Sequence, residues 1–277
     1  MGCLQVLVTG GKGKTGRRVA ARLLAAGIPA VVGSRTPEGA SDRRFDWSDL
    51  SSAAAFDGCS AAYLVAPTDR TDHLAVMQPM LEQAMKRGVQ RFVLLSSSLL
   101  EPGGPMMGEV HAWVAANTPE WAVLRPSWFM QNFSEGPPAV TIREEGIIYS
   151  ATGDGRVGFI DADDIAATAV AALTAQAPLN ADVILTGPEA LSYADIAALV
   201  SAVIGQPIRH VQLDPADLAA RFVAQGLTPD YAETLASLDR AIATGAEDRV
   251  TAGVEQVSGQ LPTSFRAFAE RVVNRWI

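Results

Sequence analysis

Three glycines near the start of the chain, Gly10, Gly13 and Gly16, have the spacing with the clearest chemical meaning. They lie between an apolar run that ends at Val8 and a stretch with the periodicity of an amphipathic helix. In a strand–turn–helix unit, the first glycine permits a tight turn, the second lets the backbone approach a pyrophosphate, and the third lets helix and strand pack closely. Unpaired N–H groups at the start of the helix then favour negative charge. The pattern predicts a dinucleotide site with contacts from Gly10, Lys12, Gly13, Lys14, Thr15 and Gly16.

A nucleoside-triphosphate P-loop is the competing interpretation, because Gly13-Lys14-Thr15 resembles the end of that motif. A P-loop requires a glycine five positions before Gly13, and that position is Val8, inside the predicted strand. The spacing therefore excludes a P-loop. A glycine-rich turn without a ligand remains the alternative.

The end of the second predicted strand, Ala30 to Val32, distinguishes between the two nicotinamide cofactors. An acidic residue there binds the ribose 2′-hydroxyl of NAD, whereas a nearby arginine suits the 2′-phosphate of NADP. The chain has Ser34 and Arg35 at this point, and Lys12 offers a second cation. Guanidinium binds phosphate through paired hydrogen bonds. We therefore expect NADP(H), the alternative being that Arg35 is an ordinary surface charge.

Composition excludes several classes of partner. The 277 residues include 22 Lys and Arg against 30 Asp and Glu, a net charge of −8, which disfavours nucleic acid and anionic membranes. The cysteines, Cys3 and Cys59, lack metal-ligand spacing and suggest a reducing compartment. We expect a cytoplasmic protein with a small-molecule substrate, no metal, and an oligomeric state left open, a homodimer included.

The alternation of predicted strands and helices indicates an α/β fold with a Rossmann-like, doubly wound parallel sheet. We expect residues 1–133 to form this dinucleotide-binding domain and residues 134–277 a small, mostly helical substrate lobe, with about 147–187 returning to the first domain. Ligands in such sheets lie beyond the carboxyl ends of the strands. Besides the glycine loop, this rule nominates Ser34-Arg35, Asp46-Trp47, Ala66-Pro67, Ser96 to Ser98, and Pro126 to Asn132.

Three segments together carry a family resemblance: Gly10 to Arg18, Leu124 to Phe133, and Asp161 to Ala166. The chain resembles the NmrA-like atypical short-chain dehydrogenases, and within them the bacterial relatives of the fungal agroclavine and festuclavine dehydrogenases. The resemblance implies that the glycines hold the pyrophosphate of NADP(H) and that Arg35 meets its 2′-phosphate. It further implies adenine contacts from Asp46 and Trp47, a path to the nicotinamide lined by Ala66, Pro67, Ser96 and Ser97, and a cover over the nicotinamide from Pro126 to Phe129.

The chain departs from typical short-chain dehydrogenases in its proton donor. The Tyr-x-x-x-Lys pair of those enzymes would fall at Gly103 and Met107. No tyrosine lies between Tyr63 and Tyr149, and no lysine follows Lys86. His111 is the nearby group that titrates close to neutrality, so it is a candidate catalytic residue, with a structural role as the alternative.

The remaining candidates concern the substrate. Ser97 is a candidate for orienting a carbonyl or imine, although hydroxyls in such loops also serve the backbone. An iminium substrate would need no proton donor, because hydride addition alone neutralises it. Candidate substrate contacts after the sixth predicted strand are Trp128, Met130 and Asn132. Asp161, Asp163 and Asp164 at a predicted helix start complement the helix dipole without a metal.

These observations favour an NADPH-dependent oxidoreductase that reduces a small C=N, C=C or quinone-type substrate, in secondary metabolism. Two alternatives remain open. One is an NADP(H)-binding redox sensor of NmrA type without turnover, which the missing tyrosine and lysine would explain. The other is a biosynthetic isomerase or cyclase on the same fold.

Overall fold

The computed structural model describes residues 4–224, 226 and 228–277, which divide into two units. The strands along the chain are β1 (Val6–Val8), β2 (Ala30–Ser34), β3 (Asp42–Arg44), β4 (Ala61–Leu64), β5 (Arg91–Leu95), β6 (Glu120–Pro126), β7 (Ile147–Ser150), β8 (Arg156–Val157), β9 (Ala181–Leu185), β10 (Leu191–Ser192) and β11 (Arg209–Gln212). The α-helices are α1 (Gly16–Ala25), α2 (His73–Lys86), α3 (Met107–Asn117), α4 (Asn132–Glu135), α5 (Pro137–Glu145), α6 (Ala162–Thr174), α7 (Tyr193–Ile204), α8 (Pro215–Ala224), α9 (Pro229–Ala243), α10 (Gly253–Ser258) and α11 (Phe265–Val272).

A seven-stranded sheet in the order β3-β2-β1-β4-β5-β6-β9 forms the centre of the first unit. All of its neighbouring strands are parallel. Helix α6 contacts both α1 and α10, and helix α2 contacts both α3 and the 3-10 helix Leu50–Phe56. Strands β1 and β4 are buried along their whole length, as continuous apolar strands between two helical layers should be. The predicted Rossmann-like fold is confirmed.

The strand order reverses at β1, which lies between β2 and β4. In an open parallel sheet, the connections on either side of such a switch point diverge and leave a crevice at the carboxyl ends of the strands. The glycine loop follows β1 directly. Sheet topology thus places the predicted dinucleotide loop where this class of fold binds its ligands.

The second unit comprises Ser127–Asp161, the described residues of the range 186–252, and Leu261–Ile277. Here β7 pairs with β11 in parallel and β8 pairs with β10 antiparallel, and helices surround these short ladders. Phe133, Phe159 and Phe265 form a core of edge-to-face aromatic contacts with centroids 5.4–6.2 Å apart. Its mostly helical character agrees with the prediction.

The boundaries between the units differ from those predicted. The first unit ends at Pro126 instead of residue 133, because the backbone of Phe129 bridges to Ile160 and Phe133 enters the core of the second unit. The returning segment is Ala162–Leu185, which is narrower than 147–187, and Gly253–Gln260 also belongs to the first unit. Long-range pairing decides this, since β9 adds to the sheet beside β6.

Two further observations concern the length of the helices and the acidic segment before α6. In the described part of the chain, no helix is both long and apolar enough to cross a membrane. Asp161, predicted to be structural, is fully buried and bonds to Gln131 at 2.7 Å and to Arg271. Cys3 lies outside the described residues.

Gly16 should contribute to the stability of the fold. A Cβ atom added there would lie 2.3 Å from the carbonyl oxygen of Gly10 and 2.9 Å from the Cα of Gly11. Since backbone must move to relieve this overlap, we expect Gly16→Ala to lower the free energy of unfolding by about 1–3 kcal/mol. Urea unfolding measures it. The matched control is Gly13→Ala, whose Cβ would meet the Gly10 oxygen at 3.1 Å and should cost less. Equal stability of Gly16→Ala and the unaltered protein would contradict this expectation.

Candidate active site

A cavity of about 330 Å³ opens at the carboxyl ends of β1, β2 and β4 in the first unit. Its volume falls in the range of ligand pockets. Its walls come from the loops that follow these strands and from the segment after β3. The lining residues are Gly10, Gly11, Lys12, Gly13, Gly33, Ser34, Arg35, Phe45, Asp46, Trp47, Ser48, Val65, Ala66, Pro67, Thr68 and Asp69.

The glycines of the loop are required for different structural reasons. Gly10 has φ of +59°, and Gly11 lies so close to Val32 that a Cβ would be 2.5 Å from its Cγ1 atom. Gly16 packs against the backbone of the loop. At Gly13, by contrast, a Cβ would meet the Gly10 oxygen alone. The fold therefore explains the other glycines, whereas Gly13 leaves one side of the backbone open to a ligand.

Trp47 forms one apolar wall of the cavity. Its indole N–H donates to the carbonyl oxygen of Val65 at 2.9 Å, and its ring contacts Phe45 edge-to-face at 4.8 Å. The Thr9 hydroxyl accepts a bond from the Val65 N–H at 2.8 Å. These bonds tie the wall to the ends of β1 and β4, so the flat indole is held in place. A nucleobase fits such a surface.

Two cations line the cavity. The Lys12 ammonium lies 2.7 Å from the Glu38 carboxylate and donates to the Thr36 carbonyl at 2.6 Å. The Arg35 guanidinium lies 3.3 Å from the Asp69 carboxylate. The loops after β1 and β2 thus bring both predicted phosphate-binding cations to one cavity, and we call the surface formed by Lys12, Arg35, Glu38 and Asp69 the phosphate corner.

Most of the predicted cofactor residues line this cavity: Gly10, Lys12, Gly13, Ser34, Arg35, Asp46, Trp47, Ala66 and Pro67. Others do not line it. Lys14, Thr15 and Gly16 lead into helix α1, Ser96 and Pro126 follow or end β5 and β6, and Phe129 belongs to the second unit. For these six a cofactor contact stays a prediction.

Some lining residues were not predicted from the sequence, among them Val65 and Asp69. Val65 contributes through main-chain bonds to Trp47 and Thr9, which its residue type does not indicate. Asp69 had a usable signal, because it follows Pro67 closely in the loop after β4, where the strand-end rule applies.

The loop after β5, which carries Ser96 and Ser97, is held by a buried arginine. Arg125 is 4% exposed and bonds to the Ser98 carbonyl at 3.2 Å, to Glu101 at 2.5 Å and to Asp182 at 2.8 Å. Such charge-assisted bonds are stronger than neutral ones. Ser97 is half-buried in this loop, and its hydroxyl accepts a bond from the Leu99 N–H at 3.5 Å.

His111 lies in helix α3 and is 2% exposed. Its ring is 6.1 Å from that of Trp121, and its Nδ1 atom has no hydrogen-bond partner among the described residues. Burial lowers the pKa of His111, and Arg125 lowers it further, while Asp182 opposes the shift. A buried imidazole that is neutral at pH 7 is a poor proton donor, so its surroundings argue against the catalytic role predicted for it.

No tyrosine lies between Tyr63 and Tyr149, and these two are no better suited than His111 to donate a proton. Tyr63 is fully buried in β4, which raises the pKa of its hydroxyl. The Tyr149 hydroxyl donates to Glu145 at 2.7 Å, and this bond raises its pKa.

The predicted substrate residues all belong to the second unit. Trp128 is partly buried against the core of that unit, Met130 is 1% exposed within it, and Asn132 begins α4. Met130 therefore acts first as a core residue. A substrate contact stays a prediction for all three.

Gly13→Val should abolish dinucleotide binding while the protein remains folded. A branched side chain at this position would occupy the open side of the loop, where a pyrophosphate would approach the backbone. Circular dichroism and calorimetric titration with NADPH test the two halves of this expectation. A folded variant with unchanged affinity would show that the dinucleotide binds elsewhere.

Comparison with known proteins agrees with this geometry. A family profile described as NAD(P)H-binding matches residues 10–176. An uncharacterized oxidoreductase, YesF, of Bacillus subtilis is 42% identical over 98% of this chain and 96% of its own length. The agroclavine dehydrogenase of Claviceps fusiformis is 40% identical over 99% of both chains.

Solved structures share the fold at lower identity. The NADPH-dependent quinone oxidoreductase QOR2 of Escherichia coli, complexed with NADPH, has a TM-score of 0.84 at 21% identity over 98% of this chain and all of its own. NmrA, a negative transcriptional regulator complexed with NAD, has a TM-score of 0.77 at 13% identity over 98% of this chain and 96% of its own. Together with the glycine loop and its cavity, the sequence matches show that the chain belongs to the NAD(P)H-binding family of oxidoreductases that also includes YesF and the agroclavine dehydrogenase.

Proposed function

We propose that this protein is an NADPH-dependent reductase of a small, partly apolar acceptor, with a cyclic C=N compound as the favoured class. The observation that carries the proposal is the cavity beside the glycine loop, which is lined by Lys12 and Arg35. The residue directly after β2 is Arg35 and not an acid. This arrangement suits a dinucleotide with a 2′-phosphate.

The residues present fit NADPH. The open backbone at Gly13 and the start of α1 would hold the pyrophosphate, Trp47 would contact the adenine, and Arg35 with Lys12 would bind the 2′-phosphate. When bound, NADPH supplies a hydride; the protein supplies binding and orientation. The bonds from Arg125 to the loop after β5 support a role for Ser97 in orienting the acceptor, with Trp128, Met130 and Asn132 as further proposed contacts.

A C=N acceptor is favoured because the usual proton donor is missing. An iminium ion is already charged and becomes a neutral amine on receiving a hydride, so the protein need not donate a proton. The buried His111 and the engaged Tyr149 are consistent with such chemistry, and the net charge of −8 favours a cationic substrate. A relative named agroclavine dehydrogenase, at 40% identity, supports a dehydrogenase activity, and the C=N substrate class and a role in secondary metabolism are part of this proposal.

The second candidate is a redox sensor that binds NADP(H) without turnover. The absence of the Tyr-x-x-x-Lys pair favours it, since a sensor needs no proton donor. NADPH consumption measured against cyclic imines, enones and quinones distinguishes the two. Consumption with an imine supports the reductase, whereas binding without consumption across the panel supports the sensor. Turnover of quinones or enones alone would support the reductase but contradict a C=N compound as its substrate.

Arg35→Ala should weaken NADPH binding specifically. Losing a charged hydrogen bond to the 2′-phosphate costs about 1.5–3 kcal/mol, so NADPH affinity should fall about tenfold or more while NADH affinity stays unchanged. Titration of both cofactors into both proteins measures this. Equal affinities for NADPH and NADH in the unaltered protein would contradict the proposed preference.

His111→Gln should leave turnover of a cyclic iminium nearly unchanged, because a neutral buried imidazole contributes no proton. The rate should also show no step as pH passes through the range of histidine titration. General acid catalysis is worth about 10²-fold or more, so a loss of that size with intact NADPH affinity would show that His111 is the proton donor. The pH profiles of both proteins on one substrate provide the measurement.

A further inference from the structure

Asp69 places a carboxylate in the dinucleotide cavity, directly against Arg35. Asp69 belongs to the loop after β4, whereas Arg35 belongs to the loop after β2. Their charged atoms are 3.3 Å apart, and the side chains are 64% and 72% exposed. Asp69 is therefore already paired with Arg35, the residue that is proposed to bind the 2′-phosphate.

The charges of the phosphate corner balance one another. Lys12 and Arg35 contribute two positive charges, and their partners Glu38 and Asp69 contribute two negative charges. A site built for the tightest possible phosphate binding would keep its cations free of acidic partners. Here an incoming phosphate must compete with a carboxylate for each cation.

We propose that Asp69 is a specificity-determining residue that restrains the preference of this protein for NADPH over NADH. This inference rests on the proposed use of NADPH. Asp69 neutralises Arg35 in the free protein and repels the 2′-phosphate once that group contacts the same guanidinium. NADH has no 2′-phosphate, so its affinity depends much less on this charge.

Asp69 is the better of the two acids to carry this role. Lys12 keeps a second partner, the Thr36 carbonyl at 2.6 Å, which holds it whether or not Glu38 is present. Glu38 is 78% exposed and can move away into solvent. The guanidinium of Arg35 donates from Nη1 to one carboxylate oxygen of Asp69 at 3.3 Å, and its planar donor fork also suits a phosphate, so these two acceptors compete for the same group.

Asp69→Asn tests the proposal, because it removes the charge with little change in shape. Since exposed charge pairs are weak, we expect NADPH affinity to rise about three- to tenfold and NADH affinity to change less than about twofold. The phosphate corner gains one net positive charge, so NADPH binding should also weaken more steeply with added salt than in the unaltered protein. Calorimetric titrations of both cofactors at two ionic strengths provide these values.

Asp57→Asn is a matched control. Asp57 pairs with Arg87 at 3.2 Å and is 65% exposed, so it resembles Asp69 in distance and exposure, and it does not line the cavity. The same change in net charge should leave both affinities as they are. An equal gain in NADPH affinity from Asp57→Asn would show that the effect of Asp69→Asn comes from the net charge of the protein and not from the pair with Arg35, and it would overturn the proposal.

Other outcomes also overturn it. Weaker NADPH binding by Asp69→Asn would mean that Asp69 orients Arg35 for the phosphate. A parallel change for NADPH and NADH would mean that the substitution alters the loop and not the phosphate corner. The titrations contain no acceptor, so a protein that binds both cofactors without turnover would refute the reductase and leave this inference intact.

Discussion

The close backbone packing of the glycine loop is the constraint on which the site depends. Gly10 lies against Val65 at the end of β4, and Gly11 lies against Val32 in β2. Because the loop touches the strands on both sides of β1, it cannot shift without disturbing the sheet. The same contacts bring the loops after β2 and β4 to either side of one cavity. The cavity is thus a consequence of the strand order and of the missing side chains at Gly10 and Gly11.

Hydrogen bonds fix the walls of the cavity to the backbone of the sheet. Trp47 and Thr9 both bond to the main chain of Val65, one through its carbonyl and the other through its N–H. Each is buried, so an unmade bond would leave a polar group unsatisfied away from water. The wall and the turn are therefore positioned by the same residue. The loop after β5 is held in a different way, by the buried Arg125 and its carboxylate partners.

The surroundings of the titratable groups bear on the chemistry as much as the residue types do. Near the expected position of a proton donor, the chain offers His111, and burial, which lowers its pKa, keeps its imidazole neutral. The cations of the phosphate corner are exposed, and each has an acidic partner. Hydride transfer to an acceptor that carries its own positive charge is compatible with both features. In the proposed reductase, the site would provide orientation and binding, and the acceptor would provide the electrophile.

Sequence alone determined the features that depend on short-range pattern. The spacing of Gly10, Gly13 and Gly16 between a strand and a helix, and the alternation of later strands and helices, predicted the fold and the position of the glycine loop, because turns and hydrophobic periodicity are local properties. The position of Arg35 after β2 followed from the same counting. Tertiary structure decided what depends on distant partners. The Trp47–Val65 bond joins residues 18 apart in sequence, and the Arg35–Asp69 pair joins residues 34 apart. The burial of His111 and the end of the first unit at Pro126 likewise follow from packing and strand pairing across the whole chain, which no local pattern encodes.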